Sequence, residues 1–219
     1  MAEPTLVRCN DLDEALHSFK ELGYRLDMIF PADSPREALM SRLEPPALAG
    51  GSTRESLQRE IVRLKLSQTQ LRPSGSDWIA GRAGMEYRDL IPGRMEGAMI
   101  ASHIRLGEGG MVSDYVHYHK VDFQMIRCIK GRIKVVYEDQ GPPFWLEEGD
   151  WVIQPPEIRH RVLECSEGSE VIEISMPAEH ETWVDHYMAL PNDIVDPDRD
   201  FSGQKFVRYK SRNRFVNQT

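Results

Sequence analysis

Residues 1–70 combine strand-length apolar runs with one stretch of helical periodicity. After a β-prone run at residues 5–9, apolar side chains recur three and four positions apart, as on one face of a helix: Leu12, Ala15, Leu16 and Phe19. Asn10 or Asp11 is placed to cap this helix, and Gly23 to end it. Further strand-length runs lie at residues 24–30, 37–43 and 60–66, with loop composition at residues 44–52. The pattern predicts a small α+β module over residues 1–70.

From residue 76 onward, the pattern changes to many short β-prone runs separated by turn signals. These runs lie at residues 97–106, 124–129, 132–138, 144–146, 150–154, 161–164 and 170–176. Many short strands at close spacing are typical of an antiparallel sandwich or barrel, which we predict over residues 76–177. Residues 178–219 then form a C-terminal extension, with a predicted short helix at residues 179–188 and a strand-like patch at residues 205–209.

The charge and hydropathy of the chain argue against nucleic acid and membranes as its partners. The formal net charge of -8 argues against nucleic acid, because phosphate binding needs a basic face. Basic side chains do gather near the C-terminus (Lys205, Arg208, Lys210, Arg212 and Arg214), but the acidic stretch at residues 193–200 offsets them. No apolar run is long enough for a bilayer, and residues 1–5 lack the features of a secretory signal. We therefore expect a cytoplasmic protein with no nucleic-acid or membrane partner.

The cysteines indicate neither a disulfide framework nor a thiolate metal site. Cys9, Cys128 and Cys165 are odd in number, widely separated and free of any C-x-x-C pairing. Cys128 lies in an apolar run, where a small buried hydrophobic side chain is the expected role.

Three histidines and one glutamine form a spaced set that can converge on a metal ion. His117 and His119 are two apart at the end of a predicted strand, so both point to the same face. Gln124 opens the next strand, and His160 closes the proline-rich turn at residues 154–159. Three imidazole nitrogens and one amide oxygen suit Fe, Ni, Cu, Mn or Zn.

These spacings resemble the two motifs of the cupin superfamily, over about residues 97–176. In the first motif, four residues separate His119 from Gln124, and six separate Gln124 from Gly131. In the second motif, Gly149, Pro155 and His160 stand at the family spacings, with Glu157 in place of a glycine and Glu164 in place of an asparagine. The resemblance implies a mainly β protein with a cupin (double-stranded β-helix, or jelly-roll) barrel. It also implies one divalent metal held by His117, His119, Gln124 and His160, a small-molecule substrate and a homodimer.

Gln124 departs from the family pattern, where a glutamate stands. An amide gives a neutral acceptor, so three imidazoles and an amide leave the metal's charge uncompensated. Such a site should attract an anionic chelating substrate, which makes an Fe(II) dioxygenase the first hypothesis.

Two other hypotheses remain open from the sequence. The chain could be a non-redox isomerase, lyase or hydrolase using Zn or Mn, with Glu157 or Glu173 as the catalytic base. Alternatively, the barrel could hold a small ligand without turning it over, because cupins host many functions. The strand pattern does not decide whether Glu173 points inward or outward.

Two further expectations concern the remainder of the chain. The strand–helix–strand–strand–strand order of the N-terminal module loosely resembles half a unit of the vicinal oxygen chelate family. Among the remaining histidines, we expect His103 to pack in the core, and His180 and His186 to face solvent.

Overall fold

The computed structural model describes residues 3–43, 59–68, 78–81 and 84–211, and it divides the chain into two compact units, Met1–Leu71 and Arg72–Thr219. The predicted loop at residues 44–52 and the basic residues Arg212 and Arg214 lie outside the described residues. No described helix is both long enough and apolar enough to cross a membrane.

The first unit has the element order expected from its sequence. Its elements are β1 (Thr5–Cys9), α1 (Leu12–Glu21), β2 (Arg25–Phe30), β3 (Glu37–Leu43) and β4 (Arg59–Leu66). The sheet order is β1-β4-β3-β2, with β1 and β4 parallel and the other pairs antiparallel. Asp11 caps the helix, because its Oδ1 accepts the backbone N–H of Glu14 at 2.9 Å. The helix and sheet share a core that includes Leu12, Met40 and Leu64.

The second unit is built from short antiparallel strands. They are β5 (Ile79–Ala80), β6 (Glu86–Asp89), β7 (Ile100–Arg105), β8 (Gly110–Met111), β9 (His117–His119), β10 (Phe123–Lys130), β11 (Arg132–Tyr137), β12 (Phe144–Glu147), β13 (Trp151–Gln154), β14 (His160–Cys165), β15 (Glu170–Met176), β16 (Thr182–Val184) and β17 (Val207–Tyr209). A short, irregular helical segment at Pro92–Gly97 precedes β7.

The strands of this unit form two sheets. One has the order β17-β13-β10-β15-β7-β6-β5, and the other has the order β16-β9-β14-β11-β12 with β8 beside β14. Along the chain, strands β9 to β15 alternate between the two sheets except at the β11–β12 hairpin, and both sheets bury apolar side chains of their inner faces in one core. That core includes Ile104, Cys128, Val135, Leu146 and Val152.

The predicted helix at residues 179–188 is wrong. Residues Thr182–Val184 form β16, which pairs antiparallel with β9 and places Thr182 opposite His119. The edge of β9 supplies backbone partners that a helix would leave without hydrogen bonds, so the tertiary pairing overrides local propensity. The predicted strand at residues 205–209 is present as β17, paired with β13.

Candidate metal centre

Strands β9 and β14 bring three imidazoles together inside the second unit. His117 and His119 share the inner face of β9, and His160 at the start of β14 is the register partner of His117. All three side chains are buried, and one nitrogen of each lies within 4.8 Å of the others. Tyr118 points the other way, with the Arg159 guanidinium 4.3 Å from its ring centre. The alternation expected from the sequence therefore holds.

Hydrogen bonds fix the outer nitrogen of each ring. His117 Nδ1 donates to the Tyr115 carbonyl at 2.8 Å, and His160 Nδ1 donates to the Ile158 carbonyl at 2.9 Å. His119 Nδ1 lies 2.8 Å from Thr182 Oγ1, an acceptor for the same tautomer. A proton on Nδ1 makes Nε2 the lone-pair nitrogen of His117 and His160, and His119 has the same tautomer when the Thr182 hydroxyl accepts its Nδ1 proton. All three rings can therefore present an acceptor nitrogen, which is the form that a metal requires.

This donor set fits a divalent metal ion. Neighbouring nitrogens bound to one tetrahedral or octahedral ion at about 2.1 Å lie roughly 3.0–3.4 Å apart, so the rings would have to approach one another by up to about 1.5 Å to share it. Histidines whose second nitrogen is held by a carbonyl or hydroxyl are the usual arrangement around protein-bound metals. His117, His119 and His160 are therefore the residues that would hold the ion.

Gln124 is buried, but another amide stands between it and the histidines. Its Oε1 accepts Gln154 Nε2 at 3.0 Å, and Gln154 Nε2 lies 3.3 Å from His160 Nε2. Tyr137 Oη donates to Gln154 Oε1 at 2.6 Å. Gln154 and Tyr137 were not identified from the sequence. A glutamine that ends an apolar strand six residues before His160 was the available signal.

Comparisons with known proteins found solved structures of low similarity. No protein-family model and no curated protein matches the sequence. Similar solved structures include an RmlC-like cupin from Shewanella frigidimarina NCIMB 400, at 23% identity over 47% of this chain and 84% of that chain, with a TM-score of 0.38. KdgF from Halomonas sp. is 19% identical over 47% of this chain and 86% of that chain, with a TM-score of 0.38. A variant of Bacillus subtilis oxalate decarboxylase is 22% identical over 51% of this chain, but only 30% of that chain, with a TM-score of 0.38.

The arrangement of the second unit itself agrees with the predicted fold. Two antiparallel sheets enclose a common core, and the histidines of both predicted motifs meet on adjacent strands inside it. The second unit therefore has the two-sheet arrangement that the cupin resemblance implies. The prediction of a mainly β chain with a cupin barrel is therefore confirmed.

A small cavity in the cupin barrel adjoins the three histidines. Its free volume is about 40 Å³, and most of its wall is apolar, including Ile104, Ile126 and Val171. The polar side chains in the wall are the three histidines, Gln154, two tyrosines and Glu173. One water needs roughly 10–15 Å³ on this measure, so the cavity has room for an ion and a small ligand.

The side chain of Glu173 points into the barrel. The strand pattern alone did not decide between this inward orientation and an outward one. Glu173 lies in the cavity wall and accepts the Ser175 hydroxyl at 3.3 Å. Burial, followed by the nearby Glu173 charge, raises the pKa of Tyr137 far above its ordinary value. Tyr137 therefore keeps its proton and acts as a hydrogen-bond donor to Gln154.

Glu157, the other predicted base, lies on a surface turn beside the barrel. Its carboxylate pairs with Lys120 Nζ, and its backbone has a φ of 60°. The cupin motif places a glycine at this position, and the left-handed backbone explains why a glycine suits it.

Two expectations for other histidines are wrong. His180, expected at the surface, is buried with its ring 5.4 Å from that of His119, because the β16 segment folds against β9. His103, expected in the core, lies on the outer face of β7, where it contacts Arg88 Nη2 at 2.9 Å and Glu170 Oε2 at 2.6 Å. Its neighbours Ser102 and Ile104 take the buried positions. His186 is exposed, as expected.

Proposed function

We propose that this chain is a metal-dependent oxidoreductase, an Fe(II) dioxygenase that acts on a small anionic organic substrate able to chelate the metal. The observation that carries the proposal is the neutral set of His117, His119 and His160, with each Nδ1 hydrogen-bonded and each Nε2 left as the lone-pair nitrogen. Bound by these three imidazoles, iron(II) would supply redox-active Lewis-acid chemistry at the site.

The charge of the site favours an anionic substrate. The three neutral imidazoles bring no negative charge to the ion, and Glu173 is the one carboxylate among the described residues that line the mostly apolar cavity, where charge interactions are strong. Asp114, a buried carboxylate, lies 3.6 Å from His117 Nδ1. Its oxygens already accept the backbone N–H groups of Tyr115 and Val162. Anionic oxygens of an enolate, a catecholate or an α-hydroxy acid would supply the missing negative charge.

Glu173 has a place in this proposal as the proton acceptor. Its carboxylate shares the cavity wall with the histidines, so it can take the hydroxyl proton of a substrate that binds as an anion. Glu157 has no comparable position, because its carboxylate is held by Lys120 at the surface.

The cavity size narrows the substrate further. A free volume of about 40 Å³ is room for about three waters, so it favours the smallest chelating anions, such as short diketones, over larger molecules such as flavonols. The same cavity also admits a second function. With Zn or Mn bound, Glu173 as a base would suit a non-redox isomerase or lyase, and its inward position is the observation that favours this alternative.

Oxygen uptake by the iron-loaded protein tests the proposal. The protein is loaded with Fe(II) without oxygen, then mixed with air-saturated buffer and a panel of diketones, catechols and flavonols. His119→Ala removes one ligand, while His186→Ala changes an exposed histidine as the matched control. We expect uptake by the wild type and by His186→Ala, and none by His119→Ala. No uptake by any iron-loaded form would count against a dioxygenase.

The two candidate functions differ in their need for oxygen. Turnover without oxygen by the Zn- or Mn-loaded protein, abolished in Glu173→Gln, would favour the non-redox enzyme. Turnover that requires both iron and oxygen, with oxygen atoms from labelled O2 found in the product by mass spectrometry, would favour the dioxygenase.

A further inference from the structure

Gln154, and not Gln124, is the amide that faces the three histidines. Gln154 is fully buried, lies in the cavity wall and places Nε2 at 3.3 Å from His160 Nε2. Gln124 is equally buried on the neighbouring strand, but it is not among the described residues that line the cavity. Gln154 on β13 and Gln124 on β10 are register partners. Gln154 is the one of the two that borders the cavity.

Three hydrogen bonds hold the Gln154 amide in one orientation. Tyr137 donates its hydroxyl proton to Oε1, and Gln124 Oε1 accepts one of the two Nε2 protons. His160 carries its proton on Nδ1, so its Nε2 is an acceptor and faces the second Nε2 proton. Reversing the amide would set an oxygen against this acceptor nitrogen, and the network therefore selects the orientation in which Gln154 presents N–H.

The same network makes Gln124 an orienting residue. Its oxygen, the atom that would bind a metal, is already the acceptor for Gln154. The atom left without a hydrogen-bond partner is its buried Nε2, which carries two protons and has no ligand capacity. Gln124 thus fixes the position of Gln154 in this arrangement.

We propose that Gln154 is a substrate-positioning residue, which donates an N–H hydrogen bond to an anionic acceptor atom of the ligand held at the three histidines. The inference rests on the proposed metal site. When the Nε2 lone pair of His160 serves a metal, the second N–H of Gln154 loses its acceptor, and a buried N–H without an acceptor is costly. An anionic ligand atom beside His160 restores that hydrogen bond. The ligand class is therefore a small oxyanion or similar anion, such as a carboxylate, an enolate or a catecholate.

Anion binding to the cobalt-loaded protein tests this role without any catalysis. Co(II) is added to the full-length protein, and azide, a small anion that accepts hydrogen bonds, is titrated while the visible spectrum of the cobalt is recorded. The affinity for Co(II) is measured separately by competition with a chelator. The variants are Gln154→Met, Gln154→Glu, Tyr137→Phe and Gln124→Met, with Gln140→Met, whose amide bonds the Asp196 carbonyl elsewhere, as the matched control.

We expect Gln154→Met to weaken azide binding about tenfold or more, the usual effect of losing a hydrogen bond to a charged group, with Co(II) affinity changed by less than about threefold. Gln154→Glu places a carboxylate against the anion, so it should weaken azide binding further while binding Co(II) at least as tightly. Tyr137→Phe removes the donor that orients Gln154 and should weaken azide binding by a smaller factor. Tyr137→Phe deletes only one hydroxyl group. If Gln154→Met does not fold, the azide affinity of Tyr137→Phe therefore tests the role of Gln154.

Two results would overturn the inference. One is unchanged azide affinity in cobalt-loaded Gln154→Met or Tyr137→Phe. The other is a loss of Co(II) affinity of about tenfold or more in Gln124→Met, which would make Gln124 a ligand. A wild-type protein that binds no Co(II) would overturn both this inference and the proposed function. Absence of oxygen uptake would overturn only the dioxygenase, because azide binding does not depend on turnover.

Discussion

At the scale of single residues, Thr182 holds one of the three proposed metal ligands, and it was not among the site residues predicted from the sequence. Its buried hydroxyl lies 2.8 Å from His119 Nδ1, and it comes from the C-terminal extension. A partner that holds the outer nitrogen fixes both the tautomer and the ring orientation, and it raises the basicity of the ligand nitrogen. Part of the metal affinity should therefore depend on a residue that does not touch the metal.

Thr182→Val tests this dependence, since valine keeps the shape and removes the hydroxyl. We expect metal affinity to fall by about 10- to 100-fold, measured by chelator competition. Trp183→Phe is the control. Trp183 lies on the opposite face of β16 from Thr182, and the variant removes the hydrogen bond that its Nε1 donates to Glu181. Equal affinities in both variants would show that the hydroxyl has no role in the site.

Cys128 should contribute to the alkaline instability of the barrel. Burial raises the pKa of its thiol from the ordinary 9.0 to about 11, with the nearby Asp150 charge acting in the same direction. The unfolded chain therefore loses this proton before the folded one does. Below about pH 9 the thiol is protonated in both states, and its full contribution to the free energy of unfolding is present. That contribution is lost as the pH rises to about 11.

Urea unfolding at pH 8 and pH 10.5 measures this contribution. Cys128→Ser keeps a donor for the Lys130 and Gly131 carbonyls but does not titrate in this range. We expect the free energy of unfolding to fall more between the two pH values in the wild type than in the variant. Equal falls would show that the thiol titrates alike in the folded and unfolded states.

At the scale of elements, the β10–β11 turn depends on the glycine that the first motif places there. Gly131 has a φ of 67°, and a Cβ at this position would lie 2.6 Å from Ser166 Oγ and 2.7 Å from Ser169 Oγ. These hydroxyls already bond the backbone of Arg132. A side chain would therefore meet both backbone strain and crowding.

Gly131→Ala should lower the free energy of unfolding by more than Gly203→Ala, as measured in urea. Gly203 has a φ of 84° and open space around it, so its variant isolates the backbone strain, about 1–2 kcal/mol. The excess loss in Gly131→Ala then measures the crowding. Similar losses in both variants would mean that the two serines move aside without cost.

The sequence predicted the elements whose patterns are local. Helix α1 with its Asp11 cap, and the alternation of His117 and His119, follow from spacing alone. Strand β16, the burial of His180 and the inward position of Glu173 depend on pairing between distant strands. Gln154 was missed for the same reason, because its place beside His160 requires the register between β13 and β10. Such registers are not encoded in local periodicity.

At the scale of the whole molecule, metal binding should stabilise the fold. Ligands that bind only the folded state raise its stability by about 2.7 kcal/mol at a concentration of one hundred times Kd. For a unit of this size, the corresponding rise in Tm is roughly 5 to 10 °C. We expect this rise on adding Fe(II) without oxygen to the wild type and to His186→Ala, and no rise in His119→Ala. The homodimer expected from the cupin resemblance stays a prediction.

The metal site is tested most simply by the metal content of protein purified without chelators or an affinity metal, compared with that of His119→Ala. We predict close to one divalent ion per chain in the wild type, iron in particular, and its loss in the variant. A wild type that carries no metal and takes up none when Fe, Zn, Mn, Ni or Cu is added would contradict the central claim, and would leave His117, His119 and His160 as hydrogen-bonded residues of a ligand-binding barrel.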